Sequence, residues 1–477
     1  MNDTPETAPQ QTSRIENVAI GDVSSRLSAA IFILLCIVPV FSTVFFGAVD
    51  NLTWIVLFIF WATIVLLWLA ESSKAKGLLF SSSALQIPVI GLLLIGLIQL
   101  LPLAGTVSGD LSDVPYSQAL SLDPYATRFF VIRLLVYLVF FAACLTFINN
   151  ERRLKKVVLL VIVFGASMAF VGILQRLANP DGIYGLRKTP QAIPFGPFVN
   201  QHHFAAFMQM TTGVALAFLF GKDTGRDRKL LLAIAVVVMG VATVLTSSRG
   251  GLLGFMSVVA FVVLVNFFTR ERSEGRAENA ANCAQRKIML AVAGAALILI
   301  IFGVVLFLGG NQELFRGIGV SNAEADLTTG RVHFWPIALR IFLEHPIFGA
   351  GFDAFGVAFT KFDTWSGLLR VEQAHNDYLQ TLADAGLAGF ACIAAFIYLL
   401  FRKGLATISG AANGFRRNAA IGALAGCFGI LIHSFFDFPL RTPSNAFFFL
   451  LLAAIATISI TTGVDTAPSR RGRANAP

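Results

Sequence analysis

The chain has 477 residues, of which 56% are hydrophobic and only 13% charged, with a mean hydropathy of +0.75. A soluble globular domain carries roughly 25% charged residues, so this composition excludes one. The net charge is +9, yet most Lys and Arg lie in short segments between apolar runs, which is not a nucleic-acid footprint.

Apolar runs of about 18–22 residues recur along the chain, each long enough to cross roughly 30 Å of hydrocarbon. A β-barrel would show alternating segments of about 10 residues instead. The composition therefore predicts an all-α polytopic membrane protein, with 45 Phe for packing and lipid contact. Residues 1–27 read as a polar cytoplasmic tail without a clear signal-peptide cleavage site. About twelve spans follow, at 28–47, 53–70, 84–104, 126–148, 157–178, 204–221, 230–247, 251–268, 288–309, 379–401, 418–438 and 446–462.

Charge orients them. With the N-terminus cytoplasmic, the inner segments 71–77, 149–156, 221–229, 269–287 and 402–417 and the SRRGR tail all carry Lys or Arg, whereas the outer segment 105–124 has none. By the positive-inside rule this places 311–378 outside, in the periplasm of a bacterial cell. Cys36, Cys144, Cys392 and Cys427 lie in apolar runs and Cys283 in a charged loop, without CxxC or zinc spacing.

Outer-side polar residues are the exceptions in such a chain. Arg249 sits in TSSRGG, where Ser247, Ser248, Gly250 and Gly251 let the backbone turn tightly; a snorkelling arginine is the bland alternative. Arg331 follows TTG at the start of an amphipathic segment, where Trp335, Ile337, Phe342 and Leu343 are expected to lie along the membrane surface, and interfacial anchoring is its alternative. Arg187 and Lys188 read as solvated charges. His375 in AHNDYLQ stands just before a span with Asn376 and Asp377 beside it, and neutral imidazole suits a general base for a hydroxyl. Asn200, His202 and His203 lie at the mouth of another span. His433 and Asp437, four apart, are expected to form a polar pair on one helix face. His345 reads as a turn residue before Pro346.

Arginine offers a planar fork of donors matched to phosphate oxygens. Two arginines near the membrane surface can hold a lipid-linked diphosphate, while a histidine deprotonates an acceptor hydroxyl. The outer acids Asp110, Asp113, Glu324 and Asp326 show no DxD pattern, so no metal and no cofactor is expected.

GPFVNQHHFAAF (196–207), TSSRGGLLGF (246–255), the stretch 328–355, AHNDYLQTLADAGLAG (374–389) and HSFFDFPL (433–440) resemble, in order and spacing, the O-antigen ligase/polymerase family. The resemblance implies a core over 195–440 that includes the loop 311–378, preceded by N-terminal transmembrane helices over 28–194. A last helix over 441–462 and a cytoplasmic tail over 463–477 follow it. It implies a GT-C-type glycosyltransferase of the bacterial inner membrane with a periplasmic site. The donor would be an undecaprenyl-diphosphate-linked oligosaccharide, and the acceptor a glycan or the lipid A core. Arg249 and Arg331 would engage the diphosphate and His375 would be the base. Asn200, His203, Asn376, His433 and Asp437 would support them, without metal. The family often has asparagine where this chain has His202. The short tail makes a protein-glycosylating relative the weaker match, and the ending HSFFDFPLRTP leans towards a polymerase over a ligase. A polytopic transporter of a lipid-linked or small anionic substrate is the alternative class. It would more often show internal repeats and mid-membrane charges.

Overall fold

The computed structural model describes residues 25–103, 118–178, 182–190, 192–221, 224–274, 330–365 and 370–459, with Val292 and Leu299. The expected span 288–309 (those two residues aside), the part of the outer loop over 311–329, and the two tails apart from residues 25–27 lie outside the described residues.

The protein is an all-α polytopic membrane protein. Among the described residues thirteen α-helices run in order: α1 Arg26–Val44, α2 Asn51–Lys74, α3 Gln86–Gln99, α4 Pro124–Phe147, α5 Glu151–Ala178, α6 Gln201–Leu219, α7 Arg226–Leu245, α8 Arg249–Glu274, α9 Arg331–Glu344, α10 Phe355–Thr360, α11 Asp377–Ser409, α12 Gly414–His433 and α13 Pro443–Thr457. A two-residue hairpin pairs β1 (Gly182–Ile183) with β2 (Arg187–Lys188). Eight of the helices are long and apolar enough to cross a membrane, and α3 and α13 are shorter apolar helices.

The helix starts are written locally. Ser25, Asp123, Asn200, Asn376 and Asn413 each cap a helix by accepting a backbone N–H with the side chain. Pro124 and Pro443 occupy first-turn positions, where a missing N–H costs nothing. α13 covers 443–457, so the last expected span ends five residues early, and α3 is 14 residues long where 84–104 was expected.

The most enclosed elements are α6, α12 and α13. Of the span in α12, 78% is buried, against 28% in α2, which sets α12 at the centre and α2 at the lipid face. Small residues allow this. A Cβ on Gly213 of α6 would meet Gly426 N at 2.7 Å and Gly422 O at 2.9 Å, so the two backbones touch where Gly422 and Gly426 sit four apart on α12. Such close approach drives helix association where lipid is as apolar as the side chains.

α11 is broken at Gly386, which has φ +61° and ψ −160°. The loop before α10 enters the break: Leu387 N donates to Pro346 O at 2.8 Å and Ala388 N to Ile347 O at 3.1 Å. Any side chain at Gly386 would collide with the Ile347 carbonyl, so glycine is required by space as well as by φ. Gln99 at the end of α3 ties the same loop down, donating to Phe348 O at 2.6 Å and accepting from Phe352 N at 3.0 Å.

α9 differs from expectation. It buries Phe334, Ile337, Ala338 and Ile341 in a small core with Phe355, Phe359 and Ala374. Trp335 is part of this packing, not a membrane-surface anchor, and its indole donates to Ala374 O at 3.1 Å. Leu343 is exposed.

Candidate active site

The residues singled out from the sequence meet at one turn, residues 434–438, which joins α12 to the 3-10 turn Pro439–Arg441. α12 stops at His433 because the chain turns over Ser434 and runs into Pro439, which cannot continue a helix. This corrects the expected span 418–438. It also corrects the expected pairing of His433 with Asp437, because those two residues share only a backbone bond, Asp437 N to His433 O at 3.2 Å.

Asp437 is buried, and it faces His375 instead: His375 Nδ1 lies 3.1 Å from Asp437 Oδ1. The same oxygen accepts from Phe438 N at 2.9 Å. Burial alone would raise the Asp437 carboxyl; the hydrogen bond with His375 and the charge of the surrounding imidazoles outweigh it and hold the group well below the ordinary carboxylate range. An ionised Asp437 accepts from Nδ1–H, which leaves the lone pair of His375 on Nε2. The imidazole is one-third exposed, with 33% of its side chain accessible against 2% for Asp437. It lies between the Phe334 and Phe438 rings, with centroids at 5.9 Å and 4.9 Å. His375 also has φ +52°, a left-handed conformation that costs a non-glycine residue about 1–3 kcal/mol and persists only when the surroundings enforce it.

The enforcement comes from the next two residues. Asn376 caps α11 and its Nδ2 donates to Phe435 O at 3.0 Å. Asp377 N donates to Ser434 O at 2.9 Å, and its buried carboxylate accepts from Ser434 Oγ at 2.8 Å and Leu440 N at 3.3 Å. So the start of α11 and the turn 434–440 are laced together on both sides of the His375–Asp437 contact. The sequence flagged Asn376 as support. Asp377 was noted only as a neighbour, although a carboxylate one residue inside a helix start was the available signal.

Arg331 reaches the same turn, and the backbone step after Arg249 packs against it. Arg331 donates to the Phe436 carbonyl from Nε at 3.0 Å and Nη2 at 2.6 Å. Arg249 is exposed and opens α8, directly before Gly250. Gly250 lies against the turn, and a Cβ there would meet His433 Cδ2 at 2.7 Å and Phe436 Cβ at 3.0 Å. Ser247, with φ +53°, and Ser248 shape the approach; Ser248 Oγ accepts from Gly251 N at 3.0 Å and pairs with His202 Nδ1 at 2.8 Å.

The supporting residues form a shell behind the turn. Asn200 accepts from His202 N at 2.8 Å and so starts α6. His203 Nδ1 pairs with Thr442 Oγ1 at 2.6 Å, and its ring meets Phe438 edge-on at 4.8 Å. His433 Nδ1 pairs with Gln209 Nε2 at 3.2 Å, while Gln209 also donates to Gly251 O at 2.7 Å. Gln209, two turns along α6 from His202, was missed in the sequence because a lone Gln inside a span carries no motif. Among the described residues His203 Nε2, Gln209 Oε1, His433 Nε2 and Asp437 Oδ2 are buried with no hydrogen-bond partner. Four of the chain's six histidines thus surround Asp437.

His333 and His345 do not join them. His333 Nε2 lies 2.8 Å from Asp363 Oδ1, and its ring stacks on Trp365 at 4.3 Å. His345 caps the end of α9. Arg187 is not a free solvated charge, since it pairs with Asp50 and lies over Phe46. Among the described residues no group of three His, Cys, Asp or Glu is placed to hold a metal ion.

A second polar cluster went unread in the sequence. Arg441 Nη1 donates to Asp353 at 2.7 Å and Nη2 to the fully buried Asp384 at 2.6 Å. Arg133 of α4 approaches Asp353 at 3.5 Å. Burial alone would lower Arg441, but Asp384 and Asp353 hold it firmly protonated.

Residues 234–394 match the model of a protein family described as O-antigen ligase. The matched stretch is about a third of the chain and contains Arg249, Arg331, His375 and Asn376. Asn200, His203, His433 and Asp437 lie outside it and are brought to it by the fold. No curated protein matches the chain. That match, together with eight helices long and apolar enough to cross a membrane, supports a membrane protein of the O-antigen ligase and polymerase kind.

Proposed function

We propose that the protein is a GT-C-type glycosyltransferase that moves a glycan from undecaprenyl diphosphate onto an acceptor hydroxyl. The observation that supports this best is the single turn, 434–438, on which His375, Arg331 and the Arg249–Gly250 step converge.

His375 Nε2 takes the proton of the acceptor hydroxyl, while Asp437 fixes the tautomer and stabilises the imidazolium that forms. The freed oxygen attacks the anomeric carbon. The bond from that carbon to the diphosphate oxygen breaks, and the electron pair leaves with the lipid diphosphate. Arg249 and Arg331 bind the charge that grows there, and the start of the 26-residue helix α8 adds its partial positive charge. Asn200, His203, Asn376 and His433 keep the turn and the two helix mouths in register. The acceptor is a growing glycan or a lipid A core.

We place the site in the periplasm and both termini in the cytoplasm of the bacterial inner membrane. The basic segments at the end of α2, the start of α5, the start of α7 and the α11–α12 connection all lie at the end of the bundle away from His375, which fits that orientation. We also assign no metal to the step, since two arginines supply the charge a metal would. Transfer by the purified protein is expected to continue in EDTA; loss that magnesium restores would contradict this.

Analysis of a strain lacking the protein tests the function itself. Single repeat units in place of long chains would identify a polymerase. Long chains stranded on undecaprenyl diphosphate would identify a ligase. Unchanged lipid-linked and surface glycans would overturn the proposal and favour transport.

A further inference from the structure

At the far end of α11 from His375, a cavity of about 360 Å³ opens between the last turns of α11, the start of α12, the start of α5 and the end of α13. About 30 residues of a helix broken at Gly386 separate the two sites, at most about 45 Å at 1.5 Å per residue. The cavity has no part in the chemistry above, and its size falls in the range of small-molecule and head-group sites.

Its lining is cationic and rich in donors. Lys403, Thr407, Asn413, Arg416 and Ser459 face it, with Glu151 at one side. Arg416 is 94% buried, since only 6% of it is accessible. Its Nη2 donates to Ile458 O at 2.7 Å, while its buried Nη1 has no partner among the described residues. Guanidinium carries five N–H donors and cannot shed its charge, so a buried, half-used one calls for an anionic acceptor. Lys403 gives one bond, to Ser83 Oγ at 3.2 Å, and has two more donors. The N-terminus of the 20-residue α12 opens onto the same space, capped by Asn413. The one carboxylate, Glu151, is already held by Lys155 at 2.6 Å and by Asn413 Nδ2 at 3.2 Å.

We infer that this cavity is a binding site for a phosphate-bearing anion. A buried arginine with spare donors, a half-buried lysine and a helix N-terminus around one space are the chemistry of phosphate recognition. The phosphate belongs to an anionic phospholipid or to a soluble molecule. Basic pockets between membrane helices take head groups in this manner.

The test uses the full chain, purified and delipidated. Native mass spectrometry follows retention of phosphatidylglycerol against phosphatidylcholine, and calorimetry follows inorganic phosphate. Arg416 is left intact, because its bond to Ile458 ties α12 to the end of α13. Lys403→Gln removes a charge, and Ala406→Trp fills the cavity from its α11 wall. Preferential retention of phosphatidylglycerol, displaced by phosphate and weakened about tenfold or more in both variants, is expected for a head-group site. Phosphate binding with the same sensitivity but no lipid preference would assign a soluble ligand. Equal retention of both lipids with no phosphate binding would overturn the proposal. So would binding that both variants leave unchanged. None of these readouts depends on glycan transfer.

Discussion

Two buried carboxylate clusters lie within four residues of one another on the 433–441 segment, and they are finished differently. Around Arg441, every charge is answered: Asp353 and Asp384 each receive one arm of the guanidinium, and Gln380 reaches Asp384 at 3.3 Å. Around Asp437, among the described residues, one oxygen is bonded and the other is not, and two buried imidazoles beside it keep an unpaired nitrogen. A partly exposed, left-handed His375 completes that side. A satisfied ion cluster fixes a loop. A cluster with bonding capacity left over, next to a strained and accessible base, is built to meet something else. One short stretch of chain thus carries both a scaffold and a candidate site.

Mutations on the two sides should therefore fail in different ways. The largest effect is expected for Arg441→Met, which strands the fully buried Asp384. Removing one partner of a buried pair costs about 3–5 kcal/mol, so the variant should lose folded protein in detergent thermal melts while any folded fraction retains transfer. A variant that is stable but inactive would move Arg441 into the site. Arg249→Lys should keep its fold and lose on the order of 10²–10³ in turnover, because a point charge cannot reproduce the guanidinium fork. Full activity in that variant would make Arg249 a snorkelling residue.

Asp437→Asn should fold and lose about 10² in turnover, with little change in donor affinity. The pH dependence sharpens this. The Asp437 carboxyl is held low in the folded protein, so its contribution to stability is present above the ordinary carboxylate pKa of about 3.9 and is lost as pH falls through the folded value. The Asp437 carboxyl should stay ionised from pH 5 to 8, read as a carboxylate infrared band that is absent from Asp437→Asn and constant across that window. A band that fades as pH falls to 5 would mean that Asp437 titrates there.

The spans were legible because an apolar run near 20 residues has few other uses, and eleven of the twelve expected ones contain a described helix. Their ends were less so. α12 stops at His433 because Pro439 and the lacing to Asp377 take over, which hydropathy does not record. His375, Arg249 and Arg331 stood out as polar exceptions, but their meeting point did not. The His375–Asp437 contact spans 62 positions, and four-residue spacing pointed Asp437 at His433 instead. The Arg441 cluster draws on Arg133, Asp353 and Asp384, each unremarkable in its own segment. Trp335 was misread for a related reason: an amphipathic helix shows its apolar stripe in sequence, but not whether lipid or protein covers it.

In the proposed step His375 is the base that deprotonates the acceptor hydroxyl. The most direct test is single-turnover transfer by purified wild type and His375→Ala, with an undecaprenyl-diphosphate-linked oligosaccharide and an excess of acceptor. Wild type should yield a glycosylated acceptor and free undecaprenyl diphosphate. The variant should bind the donor undiminished, with transfer reduced by about 10²–10⁴. Wild-type transfer by His375→Ala would remove His375 as the base.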